Sequence, residues 1–502
     1  MSELSLSFRR KSEPTSKNGL PCAGPGKCDS EGSNRESFSL TIDNQSLRGF
    51  LTATEQTFPE EVLRIREPVS RNLEMTSVVF ELDRLGKSPV VIFENVDGSG
   101  VPVVTNVAGN RKLLAHCLNA EARDLPTAFR ARCQNYIPCE IVPKGAWDDV
   151  VLEGEQIDLT QLPIPYQFSV DAAPYITAGQ VCARDPETGV DTTGFHRLML
   201  KGKNRLGISL HSRRRMYEFH RRAEVRGHSL PAAIVIGTHP LHYMGSMVFA
   251  YPPHVRKYEI IGGLFGEPYR LARCGVDDIE VPAGAEIVIE GEILAGVHEP
   301  EGPFGEFTGY ASHRSTQNVF VAKRVRMRRD ALFHSVVSGM SRDHILISCI
   351  TREGEILNAL RRNLPNVRAV HVPHKTCGAF LAIVSMKKVA EGEPKMAMLT
   401  ALGTELYTKH VIVVDDDVDI FDMEDVMWAV ATRVRAESDI FLVPGVKSAI
   451  IDPTSDPKTF TVTKMGIDAT APLNEGFAER LVIPDAQRTR ARQILGAAGV
   501  VI

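Results

Sequence analysis

The 502-residue sequence contains no apolar run approaching the ~20 residues that cross a bilayer, which argues against a membrane-embedded chain. A secretory signal is also missing. Arg9, Arg10 and Lys11 are followed by a polar stretch instead of an apolar core. The nine cysteines form no Cys-x-x-Cys pair and no zinc-ligand spacing, and their number is odd, so neither a disulfide framework nor a zinc module is expected. Cys22 and Cys28 lie close together near the start and read as bystanders. Charge of one sign is not in excess: 58 basic and 62 acidic side chains leave a net charge of -4. That balance argues against a nucleic-acid or membrane partner and against long-range electrostatic steering. No internal repeat of fixed period appears. A reducing cytoplasm fits these absences.

What is present is the profile of an ordinary globular protein, with 43% apolar and 24% charged residues. The length exceeds what one core accommodates. Residues 1–36, rich in Ser, Lys, Pro and Gly, read as a disordered leader, with structure beginning near Ser37. Residues 37–145 read as an N-terminal α/β segment. Its expected elements are a short helix at Glu60–Arg64, strands at Val90–Asn95 and Val103–Val107 flanking the Asp97-Gly98-Ser99-Gly100 turn, and a helix at Asn110–Leu118. Residues 146–330 show many short apolar runs broken by Gly and Pro, at Ala178–Ala183, Gly194–Leu200, Ala232–Ile236 and Glu286–Leu294. Helical periodicity there is confined chiefly to Arg215–Arg226, so a barrel or sandwich is expected. Helix and strand alternate again over 331–480, with helices at Ile356–Leu364 and Lys395–Leu406 and strands at Ala379–Val384 and Val411–Asp415. Residues 481–502 read as a C-terminal helix and oligomerisation segment. The fold class is therefore α/β (α+β).

The acidic run Asp415-Asp416-Asp417 with Asp419 invites a metal reading. A strand end, a turn and a helix capped by Asp422, with Asp425 three residues on, explain it better, because EF-hand spacing and its glycine are absent.

Two stretches carry chemistry. In Glu299–Tyr310, the carboxylates Glu301 and Glu306 are separated by Gly-Pro-Phe-Gly, which rules out a regular helix and imposes a defined loop. Two acids on a rigid loop suit an acid/base pair, although a solvated acidic turn is the plainer reading of the residues alone. In Thr192–Leu200, Arg197 interrupts an apolar strand pattern and needs a carboxylate partner, from substrate or protein. His196 points to the opposite face and reads as structural.

Together these stretches resemble the UbiD family of decarboxylases. The likeness extends through Leu162-Pro163-Ile164-Pro165, Gly245-Ser246-Met247, Gly262–Glu267, Cys377–Ser385, Asp415–Arg433 and Met465-Gly466-Ile467-Asp468-Ala469-Thr470. The Asp-rich run is most similar to hydroxybenzoate-type members acting on protocatechuate or gallate. The resemblance implies a three-segment fold whose central split β-barrel binds prenylated FMN, made by a flavin prenyltransferase. It also implies non-oxidative, reversible decarboxylation of an aromatic or heteroaromatic acid by a homodimer or higher homo-oligomer, a hexamer included. Carried over by position, Arg197 holds the substrate carboxylate, Glu301 is the proton donor, and Glu306 pairs with Arg197. Thr192, Gly194, Phe195, Arg197, Arg213, Arg215, Ser246, Met247 and Lys257 are implied to line the cofactor, and His344 the substrate pocket.

The family holds the cofactor phosphate through a divalent cation on Asn, His and Glu ligands, with potassium nearby. Here those positions hold Thr192, the Arg213–Arg215 run and Lys257, with Asp191 and His211 as neighbours in a shifted register. Cationic side chains replacing the metal are therefore expected, and no metal ligand is assigned. A non-catalytic subunit of a larger carboxylase complex is the alternative. A split-barrel FMN oxidoreductase is a third, against which stands the absence of a nicotinamide fingerprint.

Overall fold

The structure, a computed structural model, describes residues 44–210, 214–248, 250–474 and 476–500. The expected leader 1–36, the start near Ser37, Cys22, Cys28, His211 and Arg213 lie outside the described residues. The chain divides between Thr41 and Ile42, and the description concerns the second unit.

Ser46 opens the first described helix, Leu47–Thr57, its hydroxyl accepting from Gly49 N. The helix expected at Glu60–Arg64 is instead a 3-10 turn, Pro59–Glu61, running into the strand Val62–Ile65. Strand pairing overrides local propensity here, since Val62–Ile65 pairs in parallel with the wholly buried strand Val90–Phe93. Val103–Thr105 and Phe333–His334 complete that sheet. The chain thus returns to its N-terminal sheet after leaving the central segment. The helix Arg342–Arg361 follows, beginning well before the expected Ile356 because Ser341 caps it. Buried Asp343 accepts from the backbone N–H groups of Asn106, Ala108 and Val337, tying this helix start to the N-terminal loop.

The central sheet runs in the order Tyr175–Ile176, Leu198–Leu200, Arg205–Ile208, Ser315–Met327, Ile287–Glu301, Leu230–Ile236, Gln180–Arg184, Asp191–Phe195, with Val150–Glu153 pairing on Ser315–Met327. Asp191–Phe195 ends this path, yet Leu198–Leu200, next in sequence, stands near its other end. Only His196 and Arg197 connect them, a span of roughly 11 Å at full extension. The sheet must therefore curl until its ends nearly meet, giving a barrel split along one seam. Arg197 sits in that seam, not within a strand as its apolar flanks suggested. Leu206, Ile208, Ile234, Ile289 and Phe320 fill the interior as one apolar cluster. Two helices besides Arg215–Val225 pack here, Pro240–Ser246 and Lys257–Phe265. The first is buried at every position, so it lacks the periodicity that reveals an amphipathic helix.

The C-terminal sheet orders Val367–His371, Leu381–Met386, His410–Asp415, Thr461–Ala469 and Ile440–Lys447, with Glu393–Thr404 and Met423–Arg433 as helices. Asp422 caps the latter, accepting from Glu424 N, but Asp425 reaches Asp419 N rather than closing a box on Asp422. Asp415 and Asp417 pair with Arg433, and Asp419 pairs with Arg123. The acidic run is thus consumed by ion pairs and a cap. Among the described residues no helix is long and apolar enough to cross a membrane.

Candidate active site

Glu301 ends the long strand Ile287–Glu301, and the chain then turns through a loop that only glycine permits at two points. Gly302 has φ 81°, and a Cβ on it would lie 3.0 Å from the His313 carbonyl oxygen. A Cβ on Gly305 would fall 2.2 Å from the Phe168 ring. Asp171 clamps the loop, accepting from Gly305 N at 2.8 Å while also accepting from Gln167 N and Phe168 N. Ser312 N donates to Phe304 O and Glu306 N to Tyr310 O, so the Glu306 backbone is held on both sides.

Across the seam, Arg197 meets both acids. Its Nε and Nη2 donate to the two oxygens of Glu301 at 2.9 and 2.7 Å, a two-pronged fork. Its Nη1 donates to Glu306. Side-chain exposure is 11% for Arg197, 0% for Glu301 and 12% for Glu306. Burial opposes the Arg197 charge, but the hydrogen bond to Glu301 and the charges of Glu306 and Glu301 outweigh it and hold the guanidinium protonated. Burial raises the Glu306 carboxyl above its ordinary value. Arg197 pulls it down, while Glu301 and Asp171 add to the rise.

Arg197 also lies 5.2 Å from the centre of the Phe304 ring, which leans on Tyr175 at 4.6 Å. On the other side, Phe307 packs near Phe380, Tyr407 and His344, with ring centroids 6.0, 5.8 and 6.4 Å away. His344 donates through Nδ1 to Gly339 O at 3.0 Å. The Arg352 guanidinium lies 5.0 Å from the Tyr407 ring centre and 3.4 Å from Glu405. These aromatic groups bring the C-terminal segment against the Glu306 loop.

The expected cofactor positions divide. Thr192, Arg215, Ser246 and Lys257 converge around Tyr251: the Thr192 hydroxyl is 3.5 Å from the Tyr251 hydroxyl, and Arg215 lies 3.7 Å from its ring centre. Arg215 also donates to the carbonyls of Tyr251, Pro252 and Pro253. Lys257 is 8% exposed, and its Nζ donates to Ser246 O at 2.8 Å. Burial lowers its pKa to about 7, helped by the charges of Arg214 and Arg215. Phe195 and Met247 instead pack against the apolar cluster of Tyr243 and Met244, and Gly194 faces His196. His196 donates to Ser209 O, as a structural histidine does.

The corner around Lys257 fits a phosphate, because a buried ammonium among cations attracts an anion. It does not fit a divalent cation. Asp191 and Glu280, the nearby carboxylates, are both bound to Arg256. Among the described residues no three His, Cys, Asp or Glu side chains are arranged to hold a metal.

Residues that sequence reasoning missed include Asp171, Tyr175, Tyr251, Phe307, Arg352 and Tyr407. Asp171 and Tyr175 are far from the Glu301 loop in sequence and carry no local pattern. Only Phe307 lay within a stretch already singled out.

Comparison with known proteins identifies the family. Three models of 3-octaprenyl-4-hydroxybenzoate carboxy-lyase match the chain: the N-terminal domain on residues 57–132, the Rift-related domain on 140–341 and the C-terminal domain on 344–469. An anhydromevalonate phosphate decarboxylase from Methanothermobacter thermautotrophicus is 35% identical over 414 residues, covering 82% of this chain and 95% of that protein. Among solved structures, the UbiD-class enzyme HmfF from Pelotomaculum thermopropionicum in complex with FMN is 38% identical with a TM-score of 0.84, covering 89% of this chain and 99% of that one. An evolved dimeric form of HmfF, in complex with prFMN, gives a TM-score of 0.80 at 37% identity over 88% and 98%. The apo 3,4-dihydroxybenzoic acid decarboxylase AroY from Klebsiella pneumoniae gives 0.82 at 26% identity over 89% and 99%. The chain belongs to the UbiD family of carboxy-lyases. It is a decarboxylase by family, and its α/β fold with a curled central sheet is the fold of that class.

Proposed function

We propose that this chain catalyses the reversible, non-oxidative decarboxylation of an aromatic or heteroaromatic α,β-unsaturated acid with prenylated FMN. The observation that carries the proposal is the convergence of Arg197, Glu301 and Glu306, brought from separate parts of the chain into one largely buried cluster. Support for the cofactor comes from the anion-seeking corner at Lys257 and from FMN and prFMN in the HmfF structures. A flavin prenyltransferase is the supplier this implies, and a homodimer or higher homo-oligomer the working form.

The geometry favours an exchange of the roles expected for the two acids. Glu301 is fully buried and engages two guanidinium nitrogens, so it is the fixed carboxylate that orients Arg197. Glu306 engages one nitrogen and has its carboxyl pKa raised by burial, so it is the better holder of a proton. When Glu306 is protonated, the Nη1 edge of Arg197 becomes available to the substrate carboxylate, and total charge stays balanced. The prenylated flavin, when bound, supplies the electron sink for the pair left by the C–CO2 bond. Glu306 then delivers its proton to the carbon that lost CO2. In the carboxylation direction it takes that proton back.

Phe307, Phe380, Tyr407 and His344, packed edge-on and tilted, form an aromatic wall suited to an aromatic acid. Arg352 backs Tyr407 and is itself paired with Glu405, so it braces the ring without adding an unpaired charge to the wall. A panel of aromatic and aliphatic unsaturated acids tests this. The non-catalytic-subunit reading fits poorly, since a chain released from catalysis need not bury a guanidinium between two carboxylates.

The decisive test is Glu306→Gln measured beside Glu301→Gln in enzyme loaded with prenylated FMN. Loss of the proton donor costs about 10²–10⁴-fold in rate. Glu306→Gln should show that loss of CO2 release with the bound-flavin spectrum retained. Turnover near that of the wild type would remove Glu306 from the mechanism.

A further inference from the structure

Lys257 is the first residue of the helix Lys257–Phe265, yet its ammonium is turned inward, and its single hydrogen bond within the described residues goes to the Ser246 carbonyl. Burying an ammonium without a counter-charge is costly, and proteins normally avoid it by pairing. Among the described residues no carboxylate lies within ion-pair distance of it. The groups whose charges act on Lys257 are the guanidiniums of Arg214 and Arg215 and the thiol of Cys182. Lys257 acts in turn on the buried imidazoles of His196 and His242. The acids of this corner, Asp191 and Glu280, are neutralised by Arg256. Arg215 is braced by three backbone carbonyls and the Tyr251 ring, so its charge is held in place. The result is a built recess whose central cation, Lys257, meets no carboxylate among the described residues.

We infer that this recess binds the flavin phosphate directly, with Lys257 as the central cation and Arg214 and Arg215 beside it, in place of a divalent metal ion. The inference rests on the flavin reading above and deepens it. A phosphate monoester carries about two negative charges near neutral pH, enough to offset a buried ammonium and part of its cationic surroundings. A divalent cation in the same recess would be repelled by Arg215 and by the charged form of Lys257, and the oxygens around it are neutral, the Ser246 carbonyl and the Thr192 and Tyr251 hydroxyls. The ammonium acts as a point charge on the phosphate, and the planar guanidiniums add directed donors.

The test uses purified full-length apoprotein and two probes differing only in the phosphate, FMN and riboflavin, titrated by quenching of flavin fluorescence with and without EDTA. The expected result is a preference for FMN of about tenfold or more, as charge-assisted hydrogen bonds warrant, unchanged by EDTA. Elemental analysis should find well under one divalent ion per chain. Lys257→Met keeps the apolar stem and removes the charge. It should lower FMN affinity toward that of riboflavin, leave riboflavin binding unchanged, and melt no lower than the wild type, because an uncompensated buried charge is gone. Lys257→Glu should lose FMN binding in EDTA and regain part of it with manganese. Full FMN preference in Lys257→Met, or a stoichiometric divalent ion lost together with FMN on chelation, would overturn the inference. Failure of the decarboxylase reading looks different: FMN preference intact but no CO2 released by enzyme loaded with prenylated flavin.

Discussion

Two charged regions line the split barrel, and they handle charge in opposite ways. At the seam, Arg197 is enclosed by Glu301 and Glu306, so the cation is compensated by carboxylates of the chain itself. At the Lys257 corner, the central ammonium has no carboxylate partner among the described residues, and the nearby acids Asp191 and Glu280 are held by Arg256. In the function proposed above, the first cluster works on a substrate that briefly replaces one of its members, and the second holds a lasting occupant. The same low-dielectric surroundings serve both, by making an unmet charge expensive.

The largest way to break this comparison is Arg197→Lys. A point charge cannot reproduce the fork on Glu301 while also presenting an edge to substrate, so turnover should fall by at least ~10²-fold. Steady-state CO2 release measures it, and a lysine enzyme keeping most of its activity and its KM would remove the clamp.

Glu301→Ala should act on stability where Glu306→Gln acts on rate. Removing one partner of a buried pair strands the other charge, at a cost of about 3–5 kcal/mol. Because Glu306 retains one contact to Arg197, the lower end is expected. Thermal and urea unfolding would read it, and an unchanged midpoint would mean that Glu301 is not the structural partner.

The dependence on pH sharpens the contrast further. The folded-state pKa of Glu306 is raised, with burial the leading cause, so its protonated form, the donor in the function proposed above, is present below that value and is lost as pH rises through it. Turnover should therefore fall on the alkaline side of the raised value. The contribution of Glu306 to stability falls in the same direction, between its unfolded and folded values. A Glu306→Asp enzyme with residual activity should shift the limb, whereas a limb that does not move belongs to another group.

The smallest effect is at the other region. At pH 8 an unliganded Lys257, with its pKa brought to about 7 chiefly by burial, is mostly neutral. Bound phosphate favours the ammonium, so FMN binding at that pH should take up a fraction of a proton. The neighbouring groups do not compete, since His196 and His242 are pushed down to about 4 and 3, and Cys182 up to about 11. Calorimetry in two buffers of different ionisation enthalpy would detect the uptake, and Lys257→Met should abolish it.

Much of this molecule was legible in the residues alone. Gly302 and Gly305 stand where a side chain would collide or strain the backbone, so the Glu-Gly-Pro-Phe-Gly-Glu loop announces its own rigidity. Asp422 caps the helix it precedes, because capping is a contact between near neighbours in sequence. The cationic Arg256-Lys257 pair near the place where the family resemblance implied an acidic ligand was also noticeable without coordinates. Other features needed the fold. Whether the Asp415–Asp419 run binds a metal turned on Arg433 and Arg123, and Arg123 lies in a distant part of the chain. The strand at Val62–Ile65 exists because Val90–Phe93 offers it a ladder. Which of the two glutamates receives the fork of Arg197 depended on how the barrel closes across its seam. Sequence alone determined the kinds of groups and the stiffness of the loop that carries them, since both follow from local sterics. Tertiary structure decided which charge meets which, because pairing energies depend on distance and burial between residues that the chain keeps about a hundred positions apart.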